Sequence, residues 1–312
     1  MENHKPFSSD ELKKTLAESE EKSPIIDAPL IWKKGDIIAG LYEVKSILGE
    51  GRFGTVHQVY HQVWKRELAV KSLKEDILED KIALHRFLRE AETWIDLGIH
   101  PNIVTCFYVR ELGKLPRIFL EYAEEGNLRD RLNKGMNLPE ALDYAIQICR
   151  GMSYAHQHNL IHRDLKPENC LFAQEGNLKI TDFGLVKIEE AEAEMEHKSI
   201  SKTGRAGTPE YMAPEQWVNA SQASAKADLW ALGIILYEMC CKKRPFTAQE
   251  DEPIYTLYAR LLSSNWIYEE LPKHLPEKLV LIIKECLSEE PENRPESLNL
   301  PHFTGHQDKS YN

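Results

Sequence analysis

The chain has 312 residues, 42% of them hydrophobic and 29% charged, with a net charge of −11. A chain this long buries a large core without cross-links, and its 16 Gly and 16 Pro exclude collagen-like and low-complexity polymers. The acidic balance argues against a nucleic-acid partner. None of the six cysteines (Cys106, Cys149, Cys170, Cys240, Cys241 and Cys286) forms a C-x-x-C pair or a Cys/His cluster with zinc spacing. They read as free thiols of a reducing, cytoplasmic compartment. Met1 to Asp10 lacks an apolar signal core. The most apolar stretch, Ala231 to Cys240, is shorter than the ~20 residues of a membrane span, so no membrane segment is expected.

In chain order, residues 1–30 are rich in Ser, Glu and Lys and are expected to form a flexible polar arm, with a nascent helix over Ser9 to Glu21 capped by Ser9. The globular part is expected to start near Trp32. Tyr42, Val44 and Leu48 lead into a glycine-rich turn, and Thr55 to Tyr60 and Leu68 to Leu73 read as strands. Leu84, Leu88, Ala91 and Ile95 then mark one face of a helix that ends before Pro101. Ile103 to Arg110 and Arg117 to Tyr122 read as two more strands. After Gly126 the pattern is helical. Pro139 suits a first turn, and Leu142, Ala145, Ile146, Cys149 and Met152 form a buried stripe. Ala227 to Cys241 is apolar nearly all round and is expected to be a central helix, followed by a helix over Glu277 to Leu287.

Gly49-Glu50-Gly51-Arg52-Phe53-Gly54-Thr55-Val56 contains G-x-G-x-x-G-x-V, and glycines let backbone N–H groups approach phosphates. A Rossmann reading needs a helix after the glycines, and a Walker reading needs G-K-[ST]; a strand follows instead. A plain hairpin turn is the alternative at this point. Ala69-Val70-Lys71 places a lysine in an apolar strand. It is either a snorkelling side chain on an edge strand or a paired cation. Glu90, on the following helix, is the candidate partner, with Glu92 as competitor. Further on come His162-Arg163-Asp164-Leu165-Lys166-Pro167-Glu168-Asn169, Thr181-Asp182-Phe183-Gly184 and Gly207-Thr208-Pro209-Glu210-Tyr211-Met212-Ala213-Pro214-Glu215.

In this order and spacing, these segments resemble the protein kinase superfamily over roughly residues 41–298. Gly35-Asp36-Ile37 and Tyr42-Glu43-Val44 look like the Hanks-type Ser/Thr kinases of bacteria. The resemblance implies an α+β, bilobal protein kinase fold. A small antiparallel sheet with one helix would form an N-lobe over 31–122, Glu121 to Glu125 a connector, and a mainly helical C-lobe 126–300, with 301–312 as a tail. It implies Mg·ATP as cofactor and protein Ser/Thr hydroxyls as substrate. Leu48, Gly49, Gly51 and Gly54 would cover the phosphates. Lys71 would hold the α- and β-phosphates and pair with Glu90. Val56, Ala69 and Leu171 would sandwich adenine, which would meet backbone groups of Glu121 and Ala123 beside Leu120. Asp164 would accept the hydroxyl proton, Lys166 and Thr208 would serve the transferring phosphate, and Asn169 and Asp182 would bind Mg²⁺. Asp228 would orient the catalytic loop, and Arg294 would pair with Glu215.

Arg52 departs from the small residue common in such loops, and Trp94 and Cys106 stand where aliphatic side chains usually stack. A catalytically silent scaffold would normally lack Lys71, Asp164 or Asp182. A small-molecule kinase would lack the segment Thr208 to Glu215, and Lys166 with Thr208 disfavours tyrosine specificity. Glu168, Glu124 and Glu125 suggest a preference for basic residues before the acceptor. The acidic run Glu189 to Glu196 reads as a solvated segment or a regulatory patch. Arg163 and Lys187 suggest a pocket for a phosphate on Ser199, Ser201 or Thr203. A second copy of the chain would add that phosphate in trans, by transient self-association.

Overall fold

The computed structural model describes residues 28–51, 54–74, 81–183, 209–218, 224–246, 256, 259 and 271–297. The helix expected over Ser9 to Glu21, Arg52, the acidic run, and Lys187, Ser199, Ser201, Thr203 and Thr208 lie outside the described residues. The chain forms two compact units, Met1–His100 with Val104–Tyr122, and Pro101–Ile103 with Ala123–Asn312.

The first unit is a six-stranded sheet of order β1-β2-β3-β4-β6-β5 with one helix. Its strands are β1 (Ile37–Ile38), β2 (Tyr42–Glu50), β3 (Gly54–His61), β4 (Arg66–Leu73), β5 (Cys106–Leu112) and β6 (Leu115–Glu121). Each paired neighbour is antiparallel. One face gathers Tyr42, Val44, Val59, Leu68, Val70, Phe107, Leu112 and Phe119. Ala28, Trp32 and Ile38 close over it, so Ala28–Leu30 belong to the packed body and not to the expected arm.

The β5–β6 hairpin turns on Gly113 and Lys114, both left-handed (φ 63° and 65°), between the paired Leu112 and Leu115. That is the two-residue turn whose twist matches the strands, and it draws Leu115 and Pro116 into β6 ahead of the expected start at Arg117. Ile103 leaves the strand expected for it. It forms a parallel bridge with Ile180 and belongs to the second unit.

Helix α1 (Lys81–Leu97) is rotated from the expected phase. Phe87, Ala91, Trp94 and Leu97 are buried, whereas Leu84, Leu88 and Ile95 are only half-buried. The aromatic side chains decide this. Trp94 is 1% exposed and its Nε1–H donates to Val104 O at 2.7 Å, which fixes the face turned toward β5.

The second unit contains α2 (Leu128–Lys134), α3 (Leu138–Gln157), the hairpin β7 (Cys170–Phe172) and β8 (Leu178–Ile180), α4 (Pro214–Val218), α5 (Ala225–Cys241) and α6 (Glu277–Cys286). Asn127 with Asp130 and Asn137 with Glu140 form capping boxes at α2 and α3. Each satisfies orphan N–H groups, worth about 1 kcal/mol per cap. Pro139 lies in the first turn of α3, as expected, but the buried stripe is centred on Tyr144, Ile148, Met152 and Ala155, with Leu142 and Ile146 at its half-buried margin. Helix α5 starts at the N-cap Ser224 and is buried on all sides from Ala227 to Met239, with α3 and α6 packed against it. Among the described residues, no helix is long and apolar enough to cross a membrane.

Two buried histidines of the first unit make stability pH-dependent. His61 accepts from Trp64 N–H through Nδ1 at 3.1 Å and stacks on the Trp64 ring with centroids 4.5 Å apart. Burial, reinforced by Arg110, lowers its pKa from 6.5 to about 4. Burial and Arg117 also lower His57. A histidine whose folded value lies below its unfolded value binds protons preferentially in the unfolded chain. Its contribution is complete above 6.5 and is lost as pH falls toward the folded value. For His61 the loss is roughly 1.4 kcal/mol per pH unit below 6.5 until about 4. Urea unfolding between about pH 7 and 5 is expected to show falling stability, with a shallower fall in His61→Gln. Equal slopes in the two proteins would contradict this account.

Candidate functional site

In the first unit, the strand ladder sets the expected nucleotide-binding residues in a row. Gly49 pairs with Val56, Val56 with Lys71, and Lys71 with Ile118. Directly opposed residues of antiparallel strands share a face, so Gly49, Val56 and Lys71 lie on one face, with Ala69 and Leu120 paired beside them. The closed apolar core occupies the other face. Strand β4 has β3 on one side and β6 on the other, so Lys71 does not sit on an edge strand. Leu48 falls in a bulge of β2 between Ile47 and Gly49 and is 43% exposed. Gly51 N–H donates to Gly54 O at 2.8 Å, which closes the glycine hairpin. A Cβ on Gly54 would lie 2.2 Å from Ser72 O, so only glycine lets β3 run this close to β4.

Glu121 is braced by both ends. Its N–H donates to Thr105 O at 2.9 Å, and its Oε2 accepts from Thr105 N and Oγ1 at 3.1 and 3.0 Å. That N–H is therefore committed inside the unit. Glu90 lies on α1, but its side chain, and with it the expected pairing to Lys71, lies outside the described residues.

In the second unit, the loop carrying Asp164 is folded around a buried carboxylate. Asp228, 1% exposed in the first turn of α5, accepts from His162 N at 2.9 Å, from Arg163 N at 2.8 Å and from His156 Nε2 at 2.8 Å. Those bonds hold Arg163 in the left-handed region, φ 64°, which a non-glycine residue adopts only when its surroundings enforce it. His162 braces the loop from beneath. Its Nδ1 accepts from Asp164 N at 3.2 Å, and its Nε2–H donates to Thr181 O at 2.9 Å. Only the neutral Nε2–H tautomer does both, and burial lowers the His162 pKa in the same sense.

Above this base, Lys166 Nζ donates to Asp164 Oδ2 at 3.0 Å, both side chains being partly exposed. Asn169 Nδ2 donates to Asp164 O at 2.9 Å, which fixes the orientation of the amide. Asn169 O accepts from Thr181 N at 2.9 Å, so the loop and the residue before Asp182 are tied together where β7 meets β8. Asp182 is also left-handed, at φ 59°. Leu171, half-buried, bridges to Asn127, and Ala123 begins the longer chain segment of this unit.

Beside the loop lies a charge network the sequence reading did not find. Arg129 donates from Nε to Glu168 Oε1 at 2.9 Å, from Nη1 to Glu238 Oε1 at 2.6 Å, and from Nη2 to Tyr211 Oη, which itself donates to Glu238. Burial alone would lower the Arg129 pKa, but the bonds to Glu238 and Glu168 outweigh it and raise it. Glu125 is likewise paired, with Arg131 at 2.8 Å. The signal for the network is Glu238 itself, a carboxylate that follows the apolar run Leu229 to Tyr237 and demands a partner. Arg294, with a fully buried side chain, grips Glu215 in the expected pair through two bonds of 2.7 and 2.9 Å.

The sequence profile of the protein kinase domain matches residues 42–303. The carbon catabolite-derepressing protein kinase of Saccharomyces cerevisiae is 34% identical over 262 residues, 82% of this chain and 38% of its own length. The serine/threonine-protein kinase PrkC of Bacillus subtilis is 33% identical over 218 residues, 69% of this chain and 32% of its own. PknB of Mycobacterium tuberculosis is 31% identical over 259 residues, 81% of this chain and 40% of its own. The chain spans about two fifths or less of the length of these relatives.

Proposed function

The chain belongs to the protein kinase family, and on that premise we propose that it transfers the γ-phosphoryl group of Mg·ATP to Ser or Thr hydroxyls of protein substrates. The observation that carries the reading is the Asp164 loop. A carboxylate stands next to an ammonium group at 3.0 Å, on a backbone that a buried aspartate and a neutral histidine hold in one conformation. In the proposed reaction the hydroxyl oxygen attacks the γ-phosphorus, the bond to the bridging oxygen breaks, and ADP leaves. The hydroxyl proton passes to Asp164, and Lys166 balances charge on the transferred group. Lys71 holds the α- and β-phosphates, paired with Glu90. Leu48, Gly49, Gly51, Gly54, Val56, Ala69, Leu171 and backbone groups of Glu121 and Ala123 form the ATP site.

Among the described residues, no cluster of three His, Cys, Asp or Glu side chains holds a metal ion unaided. Asn169 Oδ1 and the Asp182 carboxylate nonetheless fit Mg²⁺, which takes one or two protein oxygens and completes its shell with phosphates and water. The ion supplies charge neutralisation to the phosphates. The six cysteines, none of them in a C-x-x-C pair, fit a cytoplasmic location.

Regulation by phosphorylation of Ser199, Ser201 or Thr203, with Thr203 first, is part of the same proposal, and a transient second copy acts on the loop in trans. Arg163 supports it. Its Nε is buried with no hydrogen-bond partner among the described residues, and burial lowers its pKa although the Asp228 carboxylate acts in the opposite sense. The expected kinase domain 31–300, with the boundary between its parts at 122–126, is proposed on the same footing.

Asp164→Asn is expected to lower turnover of Mg·ATP by ~10²–10⁴-fold in a steady-state assay, and Lys71→Met to abolish transfer while some nucleotide binding persists. Activity above a tenth of wild type in Asp164→Asn would remove Asp164 as the base. Replacing Ser199, Ser201 and Thr203 together with Ala is expected to give a low initial rate equal to that of phosphatase-treated wild type. High rates in both would mean that the loop carries no switch. The pairing of Glu168 with Arg129 revises the expected preference for basic residues. A positional peptide library is expected to show little arginine enrichment before the acceptor in wild type and clear enrichment in Arg129→Ala, where Glu168 loses its internal cation. Strong enrichment in wild type would contradict this.

A further inference from the structure

Residues 28–36 precede the family match, yet they are built into the first unit. Ala28 and Trp32 are 7% and 1% exposed. Val44 N–H donates to Asp36 O and Gly35 N–H to Val44 O, each at 2.9 Å, so the segment is strapped onto β2. A Cβ on Gly113 would sit 2.3 Å from Ala28 O, which shows how closely the strap crosses the β5–β6 turn.

Under the strap lies Arg117, 1% exposed and flanked by apolar residues in β6. Among the described residues it has no ion-pair partner. Its guanidinium donates to Leu30 O at 2.8 Å, Pro29 O at 3.4 Å, Leu112 O at 3.4 Å and Ser72 Oγ at 2.6 Å, and stands 4.0 Å from the centre of the Trp32 ring. A buried guanidinium without a carboxylate is tolerated only while such acceptors surround it. Strap, turn and Ser72 are therefore parts of one structure. Burial brings the Arg117 pKa down to about 10, so the cation persists at neutral pH.

Ser72 is directly opposite Arg117 in the β4–β6 ladder. Lys71 is its neighbour, and side chains alternate along a strand, so Lys71 faces away from the latch while sharing its backbone. We propose that the strap and Arg117 form a latch that fixes the end of β4 against β6 and so positions Lys71 for the nucleotide phosphates. Arg117 is then a positioning residue. The proposal rests on the reading of Lys71 as a phosphate-binding group. Removing the guanidinium or Ser72 Oγ loosens the β4 end, and the nucleotide senses this through Lys71.

The test is a double-mutant cycle on the full chain, read as Mg·ATP affinity by calorimetry and paired with thermal unfolding. Arg117→Met is expected to weaken affinity about three- to tenfold at a temperature where the protein stays folded, and Ser72→Ala less. In the Lys71→Met background, both are expected to have no further effect on affinity. Lower melting temperature with unchanged affinity when Lys71 is intact would reduce the latch to simple packing and overturn the proposal. The same loss in both backgrounds would also overturn it, because the effect would not run through Lys71. If Arg117→Met does not fold, Ser72→Ala decides alone. If Lys71→Met itself leaves affinity unchanged, the reading of Lys71 falls and the latch falls with it, an outcome distinct from the other two.

Discussion

A carboxylate cannot be taken out of water without donors to meet it, and in this protein that requirement shapes the loop proposed to carry the chemistry. Asp228 sits at the start of a helix buried on all sides. The donors it finds are main-chain N–H groups of His162 and Arg163, and the His156 ring. Satisfying it forces Arg163 into the left-handed region, at a cost of about 1–3 kcal/mol, and that bend presents Asp164. His162 then works in the opposite sense. It is kept neutral by burial, so its two nitrogens serve one donor and one acceptor role, tying Asp164 to Thr181. A buried carboxylate and a neutral imidazole thus hold the loop from beneath, and Lys166 is the charged group that meets the Asp164 side chain.

The segments bearing this chemistry were legible because they are contiguous. Glycines at a hairpin, a lysine inside an apolar strand, and the run from His162 to Asn169 each declare themselves locally. The strand ladder then turns separate segments into one row, Gly49, Val56 and Lys71, by the geometry of pairing alone. What escaped was mostly long-range. Leu84, Leu88, Ala91 and Ile95 mark one face of α1 in the sequence, but Phe87 and Trp94 carry more area and a hydrogen bond, so they join Ala91 on the buried face. Ile103 reads as strand by composition, yet its bridge to Ile180 lies far away in the chain.

Charged residues in apolar runs carry a further signal. Glu238 in α5 and Arg117 in β6 both violate the local pattern, and each is the centre of a network. Neither network could be drawn from sequence, because Arg129 and Tyr211 on one side, and the Pro29 and Leu30 carbonyls on the other, lie far from those residues in the chain. Such residues announce that a partner exists without saying where it lies.

The two buried arginines show how differently such a demand can be met. Arg294 is held by Glu215 through two parallel hydrogen bonds, a neutral pair in which removing one partner strands the other, at about 3–5 kcal/mol. Arg117 has no carboxylate among the described residues and relies on carbonyl dipoles and an aromatic face. Dipoles stabilise a cation less than a carboxylate does, and they act only at short range. The arrangement is therefore more sensitive to small displacements of the strap than an ion pair would be. Arg294 ties together parts of a unit built around α5, where rigidity serves the loop at Asp164. Arg117 sits where a segment outside the family match meets the strand that carries Lys71, so the softer of the two attachments lies nearest the residue assigned to the nucleotide phosphates.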